Sequence, residues 1–138
     1  LPYSTKSDID NVFGVKNVIQ WSNLDNTDTS ASTARIDEAV LQADTEIDDM
    51  MRGGMYAIPF VGTSGNLEQI KNISAVLAGV WLYRARGVSE VDDLGKPIDK
   101  MAARKKEAVG KLKRYLSGAE QLPAVRSGSH QPTSPTVI

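Results

Sequence analysis

The sequence predicts an all-α fold: a small five-helix domain over residues 1–118, with a contact loop at about 53–65 and an extended C-terminal arm over 119–138. Three observations point there. In the longer segments apolar residues recur at three- and four-residue steps, the period of a helix with one buried face. Glycines and Ser/Thr/Asn-rich stretches stand where such helices would stop and start. The last twenty residues are rich in Pro, Ser and Thr and bury too little to fold alone. At 138 residues, 41% hydrophobic and 24% charged, the chain fits one globular domain with a real core.

The opening "YSTKSDIDNVFG" (residues 3–14) predicts a short helix capped by Ser4 or Thr5 and stopped by Gly14. "VKNVIQWSNL" (15–24) predicts a second, with Val15, Val18, Ile19 and Trp21 inward. "DNTDTSAST" (25–33) is a polar linker ending in a cap, Ser32 or Thr33. The third helix, about 33–52, has the clearest stripe: Ile36, Ala39, Val40, Ala43, Ile47, Met50 and Met51. Acids fill much of its remaining surface, and Gly53 and Gly54 end it. A fourth helix, about 66–86 with Asn66 as cap, is apolar nearly all round and so is the central one. Its Ala78 and Gly79 leave room for a neighbour to come close. After the linker "VSEVDDLGK" (88–96), Pro97 suits the first turn of a fifth helix. Its inner stripe is Ile98, Met101, Lys105, Ala108, Val109, Leu112 and Leu116, and Gly118 ends it.

With no cysteine, disulfides, thiolate nucleophiles and cysteine-held metals are excluded. The longest apolar run, "ISAVLAGVWLY", is shorter than the ~20 residues of a membrane span. No basic-plus-apolar leader marks a secretion signal. His130 is the single histidine and lies in the arm, where no rigid element would hold it as a catalytic base. Asp37, Asp44 and Asp48 share a helix face but lack the oxygen spacing and turn glycine of a calcium loop. Neither "GTSG" nor "RGG" has the spacing and lysine of a phosphate loop. No metal, cofactor or catalytic group is therefore expected.

Charge is unevenly placed. Residues 1–52 carry ten acids and four bases (net −6); residues 53–138 carry seven acids and twelve bases (net +5). An acidic and a basic half suit pairing between copies, or simply two solvated faces. The segment 96–114 is net +6. Its Lys100, Arg104 and Lys111 share a face that can meet phosphates, solvent, or the acidic third helix of a neighbouring subunit. A helical DNA-binding module is thus an alternative reading, although the segment lacks the Asn and Gln of base readout. An enzyme with an unrecognised site is another.

Four segments resemble the small head–tail adaptor (neck, head-completion) proteins of Mu-like prophages and related tailed phages. "YSTKSDIDNVFG" is similar to the family's opening Tyr-Ala-Thr, Asp-Leu/Ile and Phe-Gly. "ADTEIDDMMRGGMYAIPF" (43–60) resembles its signature, a helix with Glu-Ile-Asp, a glycine break, then Tyr-Ala-Leu-Pro-Leu. "ISAVLAGVWLYRARG" (73–87) is similar to its central helix, and "KKEAVGKLKRYLSGAEQLP" (105–123) to its last helix and exit. The order and spacing carry the resemblance over roughly residues 3–123. Two features depart from it: "RGGM" has one residue more than the usual break before Tyr56, and the tail after Pro123 finds no counterpart.

The resemblance implies a structural protein, not an enzyme, without cofactor: a ring of twelve copies beneath the portal that continues the DNA channel toward the tail. It implies a place in the virion neck and assembly in the host cytoplasm. The implied partners are other copies of the chain, the portal protein, the next neck or tail-terminator protein, and genomic DNA passing through the lumen non-specifically; no membrane takes part. Asp37, Asp44 and Asp48 would then face Lys100, Arg104 and Lys111 across subunits. Tyr56 and Ile58 would fold back on their own core, while Phe60 and Val61 belong to the exposed contact loop. Leu122, Val125, Val137 and Ile138 would anchor the arm on the portal or on a neighbouring adaptor.

Overall fold

Thr5 opens helix α1 (Lys6–Phe13), its backbone N–H and hydroxyl both donating to Asp8 Oδ2, at 2.8 and 3.0 Å. Gly14, at φ 90°, ends α1 and starts α2 (Val15–Ser22). The computed structural model describes residues 2–23, 30–61, 67–86, 90–91, 97–98, 101–122 and 124. Val18 and Trp21 of α2 are buried, but Val15, expected inward, is exposed at the first turn. The polar linker is tied at both ends. Asn23 Nδ2 donates to Ile19 O and Ser30 O at 2.8 and 2.7 Å, and the Ser32 N–H donates to Ser22 Oγ at 3.0 Å. Ser32 then caps α3 (Thr33–Met51), accepting from the Arg35 N–H. Six residues of the expected stripe are buried, and Met50 is half-buried at its edge.

Helix α4 (Glu68–Ala85) packs against α1, α2, α3 and α5, which makes it the centre of an all-α bundle. The expected cap, Asn66, lies outside the described residues. A Cβ on Gly79 would stand 2.0 Å from Phe13 Cε2, so this glycine lets α1 seat its aromatic directly on the α4 backbone. Phe13 has little freedom to retreat. Trp21 meets it edge-on at 5.3 Å and meets Tyr83 on its other side, also at 5.3 Å. The Arg104 guanidinium lies 5.0 Å over the Phe13 ring. Gly79→Ala is therefore expected to destabilise by about 1–3 kcal/mol despite alanine's better helix propensity. A urea-unfolding midpoint measures this, and an unchanged or higher midpoint would contradict the close packing.

Two of the described residue pairs are extended: β1 (Glu90–Val91) pairs antiparallel with β2 (Pro97–Ile98). This corrects the expected start of the fifth helix. Proline suits the first residue of an edge strand as well as the first turn of a helix, because it has no N–H to pair in either. Helix α5 instead runs Ala102–Ser117 and closes at Gly118, φ 83°. Its buried positions are Ala108, Leu112 and Tyr115. Tyr115 takes the last inward place expected of Leu116, one residue away round the helix. Leu116 is left 37% exposed, with its Cδ1 only 2.7 Å from where a Cβ on Gly54 would stand.

Among the described residues no helix is long and apolar enough to cross a membrane.

Candidate functional site

The acidic face of α3 does its first work inside the chain. Asp44 and Asp48 are one turn apart, so both point at the N-terminal segment. The Tyr3 N–H donates to Asp44 Oδ2 at 2.9 Å, and the Tyr3 hydroxyl donates to Asp48 Oδ1 at 2.5 Å. Ser74, buried on α4, donates to Asp44 Oδ1 at 2.6 Å. Ser74 and Ser4 oxygens are also 2.6 Å apart. Because the Ser74 proton is committed to Asp44, Ser4 is the donor in that pair. Both serines are buried. The network is a clasp that holds residues 3–4 across α3 and α4.

Two tyrosine hydroxyls extend the clasp to the loop and to the chain's exit from the bundle. The Phe60 N–H donates to Tyr3 Oη at 2.9 Å, and the Leu122 N–H donates to Tyr56 Oη at 2.8 Å. The Phe60 ring sits between Tyr3 and Tyr56, with centroids 5.9 and 5.8 Å away. Phe60, expected to be exposed in the contact loop, is thus buried at 7% exposure. The loop turns it back because a hydroxyl acceptor for its N–H, Tyr3 Oη, and two aromatic rings wait there. Val61 next to it is 55% exposed. Tyr56 is buried and Ile58 half-buried, as expected. Leu122, assigned to the arm, is buried in the chain's own core, as is Ala124. Val125, Val137 and Ile138 lie outside the described residues, as does His130.

Burial raises the Asp44 pKa above the usual aspartate value, opposed by its hydrogen bonds from Ser74 and Tyr3. Burial first, and then the bond to Asp48, raises that of the Tyr3 phenol. A carboxyl with a raised folded pKa contributes stability that is present below its unfolded pKa and lost as pH rises through the folded one. The stability difference between the native chain and Asp44→Asn should therefore shift in favour of the native chain as pH falls from 7 into the acid range. Unfolding midpoints at several pH values read this directly, and a shift of opposite sign would contradict the burial of Asp44.

The charged residues expected between subunits are distributed as follows. Asp37 is exposed and unpaired among the described residues, and Asp44 and Asp48 are bonded to Tyr3. Arg104 covers Phe13, Lys111 stands 4.0 Å from Glu107, and Lys100 lies outside the described residues. An acidic–basic contact between α3 and α5 exists within the chain, from Lys105 Nζ to Glu46 Oε1 at 3.4 Å. Exposed pairs of this kind contribute about 0–1 kcal/mol.

Two open grooves flank α3. One, of about 590 Å3, lies between α3 and the N-terminal segment, with Asp37, Leu41, Asp44 and Asp48 along it. The other, of about 480 Å3, lies toward α4 and is lined by Glu46, Met50, Leu77 and Trp81. Among the described residues no group of His, Cys, Asp and Glu could hold a metal ion. The two grooves are open surfaces of the bundle. Sequence reasoning missed the clasp. Its available signal was Tyr3 just before a helix cap, together with two acids one turn apart beside an apolar stripe.

No curated protein matches the chain. The family model described as Bacteriophage Mu, Gp36 matches residues 3–138. The match extends past Pro123, so the tail that had no counterpart in the sequence comparison is part of the family pattern. The chain belongs to the Bacteriophage Mu, Gp36 family and is a phage protein.

Proposed function

We propose that this phage protein is a structural component of the virion neck: a head–tail adaptor, without enzymatic activity, that forms a ring beneath the portal and carries the DNA channel toward the tail. The observation that carries the reading is the family match over residues 3–138, a range that includes the four segments resembling adaptor proteins. The bundle supports it in kind. Its N-terminus, its loop and its exit at Leu122 are pinned together by Tyr3 and Tyr56, which makes a rigid block. Around that block an apolar groove, the exposed Val61 and the basic outer side of α5 remain as contact surfaces. The ring is proposed as twelve copies, with the portal above, the next neck or tail-terminator protein below, and DNA sliding through without sequence recognition.

The test is assembly. Phage lysates lacking this protein should accumulate DNA-filled heads and free tails, and adding the purified chain should join them. Normal joining without it would overturn the reading. The basic α5 keeps a second reading in view, a DNA-binding module. Tight, sequence-specific duplex binding by the purified chain that survives moderate salt would favour that module over the adaptor.

A further inference from the structure

The larger groove has an apolar floor and an unused knob. Ile36 and Val40 lie at its base, and Leu41 stands 58% exposed on its lip. Asp37, Asp44 and Asp48 run beside them, and the lysine on its wall, Lys6, is held by Asp10 at 2.5 Å. The groove therefore suits an occupant that is cationic and closely approachable.

Helix α5 presents such a face on the side turned away from its core. Ala103, Lys106, Gly110, Lys113 and Ser117 follow one another at three- and four-residue steps, opposite buried Ala108, Leu112 and Tyr115. Neither Lys106 nor Lys113 has an ionic partner among the described residues. Gly110 is the telling position. Glycine is the poorest helix former after proline, yet here it sits mid-helix. Among the described residues nothing requires it, because a Cβ there would meet no described atom closer than Arg114 Nη1 at 4.0 Å. A missing side chain on an outward helical face admits close approach from outside.

We propose that the α3 groove of one copy receives the outer face of α5 from the next copy. The registers match. Asp37, Leu41 and Asp44 fall at i, i+4 and i+7, and so do Lys106, Gly110 and Lys113, each set spanning about 10 Å of helix. Leu41 fills the space over Gly110, and the two lysines flank it against the carboxylates. Because the two surfaces differ, the contact is head-to-tail and repeats from copy to copy, as a ring requires. The inference rests on the ring reading and gives it faces: Lys106 and Lys113 serve the contact, rather than Lys100, Arg104 and Lys111.

The chain has no cysteine, so introduced thiols report the contact cleanly. Asp37→Cys and Lys106→Cys, which face each other in this register and leave Leu41 and Gly110 in place, are made singly and together in the full chain and oxidised mildly. The double variant should give a ladder beyond dimer on a non-reducing gel, a mixture of the two single variants should give one heterodimer, and each single variant alone should stay monomeric. Cross-linked homodimers from one variant alone, or no cross-link from the double variant, would overturn the proposal. Gly110→Ala separates contact from folding: it should raise the melting temperature yet weaken self-association at least tenfold. Association as strong as that of the native chain would overturn the proposal. Rings that form without the 37–106 cross-link would reject this interface and leave the adaptor reading standing. A cross-linking chain with no place in the neck would reject the adaptor reading alone.

Discussion

Ending the chain at Gly118 is expected to cost the fold about 2–4 kcal/mol, whereas ending it at Ala124 should leave stability within about 0.5 kcal/mol of the full chain. The first cut removes Leu122 and Ala124 from the core and takes away the N–H that Leu122 donates to Tyr56 Oη. It also removes the Arg114–Glu120 pair at 2.9 Å. Loss of a buried leucine dominates that sum, and the surface ion pair adds little. The second cut spares every described core residue. Urea midpoints of the two truncations decide the matter. Equal stability would mean that Leu122 is not structural, and that residues 119–124 belong to the arm as the sequence suggested. The adaptor reading then asks whether the chain ending at Ala124 still joins heads to tails. Failure to join, with the fold intact, would assign residues 125–138 to attachment.

Phe60→Ala should destabilise by about 3–5 kcal/mol, while Val61→Ala stays within about 0.5 kcal/mol of the native chain. Phe60 fills the space between Tyr3 and Tyr56, and its backbone N–H reaches the Tyr3 hydroxyl that Asp48 holds. Removing the ring leaves a cavity against two aromatics and loosens the clasp to the N-terminal segment. Its signature is a lower midpoint together with faster amide exchange in residues 3–5. If Phe60→Ala kept full stability, Phe60 would be a contact residue for another molecule, and its burial in the chain would be wrong.

The helices were legible because their signals are local. Periodicity in α3, all-round apolarity in α4, glycine stops at Gly14 and Gly118, and the glycine beneath Phe13 each depend on few neighbours. What the sequence hid was long-range. Tyr3 reaching Asp48, Phe60 reaching Tyr3, and Leu122 reaching Tyr56 join positions 45, 57 and 66 residues apart. A polar hydroxyl finding a distant donor or acceptor leaves no period in the sequence. The same holds for Pro97, which suits a helix start and the first residue of a strand alike, so that the pairing with Glu90–Val91 decides between them. Charge was legible as composition but not as partnership: Asp44 and Asp48 on α3 hold a clasp within the chain and also border the open groove, where Asp37 has no partner among the described residues.

The central claim is a place in the neck, and an image of assembled particles tests it most directly. Particles carrying the full chain with a small density label at its N-terminus should show a ring of label between portal and tail, and particles made without the protein should lack that layer. Label elsewhere on the virion, or an unchanged neck in its absence, would contradict the account.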